Sequence, residues 1–182
     1  VGKTTTSINL AACLALSGKK VLLIDIDPQG NASSGLGINL KEDQKGIYEL
    51  LANEASLEQV TYPTDIETLR IIPSNVDLAG AEIELVSRDN REKVLSMVLN
   101  GANEEYEFVV IDCPPSLGLL TLNALTASQS VLIPMQCEYY ALQGLSHLLK
   151  TLQRIKKFIN PNLKVEGILL TMYDGRTLLT GQ

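Results

Sequence analysis

Short, unbroken apolar runs alternate along this chain with longer stretches in which apolar residues recur every three or four positions. Val21-Leu22-Leu23-Ile24 and Phe108-Val109-Val110-Ile111 contain no polar interruption. A strand with one wet face alternates apolar and polar residues, whereas a strand covered on both faces does not. These runs, with residues 68–72, 131–134 and 165–171, predict buried strands. Residues 4–17, 77–86, 91–100, 119–127 and 141–159 carry helical spacing, and 46–60 holds a short helix and a connection. Gly18 suits the position just past a helix end, and Pro28, Pro73, Pro114 and Pro161 stop the elements before them. Residues 29–37, rich in Gly, Ser and Asn, predict a loop. Strands alternating with helices predict right-handed βαβ units. The fold expected is α/β: a doubly wound, mostly parallel sheet with helices on both faces.

Composition agrees with this without adding to it. The chain has 182 residues and is 45% hydrophobic, enough for one domain with a sizeable core. No apolar run approaches the ~20 residues of a membrane span, and no membrane partner is expected. Cys13, Cys113 and Cys137 lack C-x-x-C spacing and suit reduced, mostly buried thiols of an intracellular protein. Charge changes the picture more. The net charge is −6, yet residues 1–140 carry 9 Lys/Arg against 19 Asp/Glu, and residues 141–182 carry 6 against 2. Such asymmetry fits a nucleic-acid or membrane face, or an ordinary solvated helix. Lys150, Arg154 and Lys157 share one helix face and would make sequence-independent phosphate contacts. No aromatic platform accompanies them for stacking single-stranded bases. His147, Tyr139 and Tyr140 suit packing or surface roles.

Candidate chemistry gathers at the strand ends. Gly2-Lys3-Thr4 before a helix matches the back half of the phosphate-binding pattern G-x-x-x-x-G-K-[ST]. There, backbone N–H groups wrap phosphates, the Lys reaches the β- and γ-phosphates, and the hydroxyl holds Mg²⁺. The same three residues would equally cap an ordinary helix. Asp25, Asp27 and Asp112 follow strands, on the edge where doubly wound sheets bind ligands. FVVID has the form of a Walker B strand, whose Asp holds Mg²⁺. A single Asp in such a place is often only a turn former.

The stretch VGKTTTSINLAACLALSGKKVLLIDIDPQGNASSGLG resembles the start of the ParA/Soj family of chromosome- and plasmid-partitioning ATPases. LAGAEIEL, VVIDCPPSLGLLTLNAL, QCEYYALQGL and LLTMYDGRT resemble later blocks of that family, in the same order. The resemblance implies a P-loop NTPase of the deviant Walker A class. It further implies a single ATPase domain over residues 1–182, beginning inside the phosphate loop and ending before the family's C-terminal part. ATP and Mg²⁺ are the implied cofactors. Gly2, Lys3, Thr4 and Thr5 then match the phosphate loop: Lys3 pairs with the β/γ-phosphates, Thr4 binds Mg²⁺ and Thr5 lies near the α-phosphate. Asp27 matches the switch I aspartate that helps place the attacking water. Asp25, beside it, is expected to orient Lys3 or a metal-bound water. Asp112 matches the Walker B aspartate, and residues 113–118 match switch II. Catalysis is thereby assigned to Lys3, Asp27 and Asp112, and Mg²⁺ to Thr4, Asp27 and Asp112.

Arg176 matches a position implicated in non-specific DNA binding, and also fits a simple hairpin turn after Asp174-Gly175. The family implies an ATP-sandwich homodimer, non-specific double-stranded DNA, and a ParB-type partner that stimulates a weak ATPase. It implies a cytoplasmic, nucleoid-associated protein. Two relatives on the same fold are alternatives. A MinD-type membrane-positioning ATPase matches the blocks less well. An iron–sulfur protein of the nitrogenase-reductase type would need cysteine positions that Cys113 and Cys137 do not match.

Overall fold

The computed structural model describes residues 1–136 and 139–173, at 103 and 139–143 for the backbone alone. Thr4–Ala127 forms one compact unit, and Val1–Lys3 groups with the described residues from Ser128 onward as another. Arg176 lies outside the described residues.

In the larger unit the central element is β1 (Val21–Asp25), preceded by helix α1 (Lys3–Leu16). Gly18 closes α1 at φ 88°, a left-handed conformation that glycine adopts without steric cost. The short helices α2 (Asn31–Gly35) and α3 (Ile47–Ala52) follow, then β2 (Tyr62–Pro63), β3 (Leu69–Ile72) and α4 (Leu78–Leu85). The unit ends with α5 (Val94–Val98), α6 (Ala102–Glu105), β4 (Phe108–Asp112) and α7 (Leu119–Ala127). The sheet order is β2-β3-β1-β4. β1 runs parallel to both neighbours, with Ile24 opposite Ile72 on one side and Asp25 opposite Asp112 on the other.

All five residues of β1 are buried, and the reason is visible in its two faces. Val21 and Leu23 pack in a cluster with Ala11 and Ala15 of α1 and Ala32 of α2. Leu22 and Ile24 belong to the opposite cluster, with Leu50, Leu78, Leu95 and Leu120 from α3, α4, α5 and α7. Small residues on α1 let that helix lie close to the sheet. Full burial of a Leu such as Leu22 contributes about 1.5–3 kcal/mol.

The structure refines the sequence pattern in several places. Residues 29–37 are not all loop, because they contain α2. The sheet is mostly parallel, as expected, with the two-residue β2 pairing antiparallel to β3 at its edge; Pro63 is tolerated there because β2 is an edge strand. Residues 91–100 contain only α5, because Asn90 sits at φ 54° and Lys93 is not helical. The buried Asn123 fixes this stretch instead. Its Oδ1 accepts from Leu95 N–H at 3.1 Å, and its Nδ2 donates to the Arg91 carbonyl at 2.8 Å. Of the thiols expected to be mostly buried, Cys13 is exposed and Cys113 half-buried.

The second unit holds β5 (Ser130–Gln136), α8 (Tyr139–Phe158) and β6 (Lys164–Thr171). β5 and β6 pair in parallel with an irregularity between Val131 and Leu132. Asn160 Nδ2 donates to the Ser128 carbonyl at 2.8 Å, fixing the approach to the pair. Leu152 and Ile155 on α8 are buried, while Lys150, Arg154 and Lys157 are exposed. No helix among the described residues is long and apolar enough to cross a membrane.

Candidate functional site

Parallel pairing places the ends of β1 and β4 on one edge of the sheet, so Asp25 and Asp112 face each other in register. Both are 0% exposed, and Asp27, two residues beyond Asp25, is 6% exposed. The pairing continues past the strands, as Ile26 N–H donates to the Asp112 carbonyl at 3.0 Å. Buried carboxylates need donors, and these draw theirs from different places.

Asp112 Oδ1 accepts from Ser7 Oγ of α1 at 2.9 Å. That bond ties the helix after Gly2-Lys3-Thr4 to the end of the FVVID strand, 105 positions away. Residues three apart on a helix lie on one face, so Thr4 sits one turn from Ser7, on the same face and toward the helix start. The first turn of a helix presents unpaired N–H groups and the positive end of its dipole, which suits an anion. Thr5 is exposed in that turn.

Asp25 takes its donors from the segment that follows it. Oδ2 accepts from Ser33 N–H at 2.8 Å and Ser33 Oγ at 2.7 Å. Oδ1 accepts from Asp27 N–H at 3.2 Å. Burial pushes the Asp25 carboxyl above its usual range, and the Asp112 charge adds to this; the Ser33 and Asp27 hydrogen bonds oppose it. Asp25 therefore anchors the following turn. Asp27 Oδ1 in turn accepts from Gln29 N–H at 3.0 Å.

The segment after Asp112 is held differently. Thr121 Oγ1 donates to the Ser116 carbonyl at 2.6 Å. Glu82 Oε1, from α4, accepts from Leu119 N–H at 2.8 Å, at the start of α7. Here a carboxylate supplies the acceptor that an N-terminal N–H lacks within its own helix.

In the second unit, Gly2 adopts φ 84°, and a Cβ there would meet Thr171 Cγ2 at 3.1 Å. Thr171 Oγ1 donates to the Val1 carbonyl at 3.2 Å. The end of β6 thus braces Val1 and Gly2 within that unit. Among the assigned residues, then, Asp112 is joined to the Thr4 helix, and Asp27 shares its sheet edge. Sequence reasoning missed Ser7, Ser33 and Thr171. Each is an unremarkable hydroxyl whose partner is far away in the chain or across a turn.

The donor set suits magnesium. Mg²⁺ prefers oxygen ligands and keeps several waters, so one or two carboxylates and a hydroxyl suffice beside phosphates. Thr4, Asp27 and Asp112 supply these types. Among the described residues no three His, Cys, Asp or Glu side chains group as a metal cage, and Mg²⁺ bound with phosphate does not require one.

A mostly parallel sheet whose carboxyl edge carries buried aspartates, one tied to the helix that follows Gly2 and opens with Lys3-Thr4, defines an α/β protein of the P-loop class. Comparison with known proteins narrows the class. A model of the AAA domain family matches residues 1–165. Sporulation initiation inhibitor protein Soj of Bacillus subtilis is 56% identical over 98% of this chain and 71% of its own length. Chromosome partitioning protein ParA of Myxococcus xanthus is 55% identical over 100% of this chain and 64% of its own length. Among solved structures, cobyrinic acid a,c-diamide synthase from Mycobacterium smegmatis with bound ATP analog and magnesium superposes with a TM-score of 0.93. It is 40% identical, and the match covers 99% of this chain and 73% of that one. The chain belongs to the ParA/Soj family of partitioning ATPases.

Proposed function

We propose that this chain binds ATP with Mg²⁺ at the β1/β4 edge, hydrolyses it slowly, and uses the cycle to partition a chromosome or plasmid. The observation that carries this reading is the Ser7–Asp112 hydrogen bond, because it joins the phosphate-loop helix to the Walker B strand. The ATP analog and magnesium in the Mycobacterium smegmatis structure support the choice of ligand.

Phosphoryl transfer asks mainly for positioning and charge neutralisation. Gly2, Lys3, Thr4 and Thr5 bind the phosphates, with Lys3 balancing charge on the β- and γ-groups. Thr4, Asp27 and Asp112 hold Mg²⁺, which when bound neutralises charge on the phosphate oxygens. Asp27 orients the attacking water through its carboxylate. Ser7 holds Asp112 in place by donating to Oδ1. No protein nucleophile is required.

In this reading ATP bridges two copies of the chain, and the dimer binds double-stranded DNA without sequence preference. Exposed Lys150, Arg154 and Lys157 on α8, with Arg176, supply phosphate contacts. A ParB-type partner stimulates turnover, hydrolysis releases DNA, and the protein resides on the nucleoid in the cytoplasm. The test is anisotropy of a labelled non-specific duplex with the full chain and ATP, ADP or no nucleotide, across a salt series. Binding is expected with ATP, and log Kd should change with log salt by about 0.9 per phosphate contact. Binding that ignores nucleotide, or ignores salt, would contradict the reading.

A further inference from the structure

We infer that Ser33 is a positioning residue for ATP hydrolysis, fixing where Asp27 stands without touching the nucleotide. This rests on the ATPase reading above.

The inference comes from a closed set of buried hydrogen bonds. Ser33 is 2% exposed. Its hydroxyl donates to Asp25 Oδ2 at 2.7 Å and accepts from Ser74 N–H at 3.0 Å, just beyond β3. Asp25 Oδ1 meanwhile holds Asp27 N–H at 3.2 Å. One hydroxyl thus links the ends of β1 and β3 and closes the turn that carries Asp27. The backbone is fastened at a second point. Gly30 N–H donates to the Asp27 carbonyl at 2.9 Å. Gly30 itself lies at φ 61°, where a Cβ would come within 3.1 Å of the Ser74 carbonyl oxygen. The turn is therefore gripped from the β3 side both by a hydrogen bond and by close backbone approach.

A helix of five residues such as α2 has little stability of its own. Its place is set by these tertiary bonds, and so is the direction of Asp27. Removing the Ser33 hydroxyl strips one donor from Asp25 and leaves Ser74 N–H without its acceptor, in a buried setting where unpaired groups are costly. The turn then relaxes and the Asp27 carboxylate shifts. Nucleotide affinity, set by the phosphate loop, is left as it was.

The experiment measures equilibrium ATP binding, kcat, KM and thermal midpoint for the full chain, with Ser33→Ala, Ser33→Thr and Asp25→Asn. A displacement near 1 Å costs up to about 10²-fold in rate, so Ser33→Ala should lower kcat about tenfold or more. Its ATP Kd should stay within about twofold. Ser33→Thr, which keeps the hydroxyl, should recover most of the lost kcat. Should Ser33→Ala not fold, Asp25→Asn carries the same test, because its NH2 must face one of the two N–H donors, Ser33 or Asp27, that the carboxylate accepts from, and kcat should again fall with Kd held. Unchanged kcat in either variant, or Kd and kcat falling together with the thermal midpoint, would overturn the inference. Wild-type protein that binds no ATP or turns none over would instead overturn the ATPase reading.

Discussion

The segments that leave the sheet after β1 and after β4 both start at a buried aspartate, yet they are secured by opposite means. After β1, Asp25 grips its own continuation through Asp27 N–H and both Ser33 donors. After β4, Asp112 reaches back to Ser7 of α1, and the far end of its segment is held by Glu82 of α4. The first fastening is fully buried, whereas the second depends on a partly exposed side chain of a neighbouring helix. A turn closed by its own strand keeps one geometry. A turn held by a neighbour's carboxylate changes when that neighbour moves. The contrast is between a turn closed from its own strand and a segment held by a neighbouring helix.

The largest expected effect breaks the β1 side. Asp27→Ala should preserve magnesium-free ATP binding while turnover falls about 10²–10⁴-fold, the range for losing a positioned acid–base group. Steady-state phosphate release together with equilibrium binding checks this, and normal turnover in the variant would remove Asp27 from the mechanism.

A smaller effect tests the β4 side. A Cβ on Gly118 would overlap Glu82 Oε1. That atom ends a flexible side chain, so the carboxylate would swing away and give up Leu119 N–H. Gly118→Ala and Glu82→Ala should therefore each cost about 1.5–3 kcal/mol, the value of a hydrogen bond to a charged group. The double variant should cost little more than either one, a strong coupling in a double-mutant cycle of urea unfolding. Additive losses would mean that Glu82 does not hold this segment.

The smallest effect is a control at the opposite edge of the sheet. Tyr106, just before β4, is pushed from 10.0 to about 12, first by burial and then by the Glu105 charge. Because the folded value is the higher one, its stabilising contribution is whole below about pH 10. It is lost as pH rises toward about 12. Tyr106→Phe should flatten that alkaline fall in unfolding midpoint and leave ATP turnover at neutral pH unchanged. An identical alkaline fall in the variant would discount Tyr106.

Much of the frame was legible because it rests on burial and local pattern. FVVID and LLTLNALTA coincide with β4 and α7 to the residue, since an unbroken apolar run between stops has few alternatives. The edge where Asp25, Asp27 and Asp112 lie followed from the parallel connection rule. What escaped depends on distant partners. Residues 29–37 look like a loop, and α2 forms there because Asp25 and Ser74 take up Ser33. Asn123 shortens the helix after residue 91 by bonding to Leu95 and Arg91, and nothing local announces that. Ser7 carries no pattern of its own. Its importance arises only when β4 brings Asp112 to it.

The most direct test titrates ATP into the full chain, with and without Mg²⁺, for wild type and Asp112→Asn. Wild type should bind ATP more tightly with Mg²⁺. Asp112→Asn should lose that gain while keeping its magnesium-free affinity. A wild type indifferent to Mg²⁺, or an Asp112→Asn variant that retains the whole gain, would contradict a nucleotide–magnesium site at the β1/β4 edge.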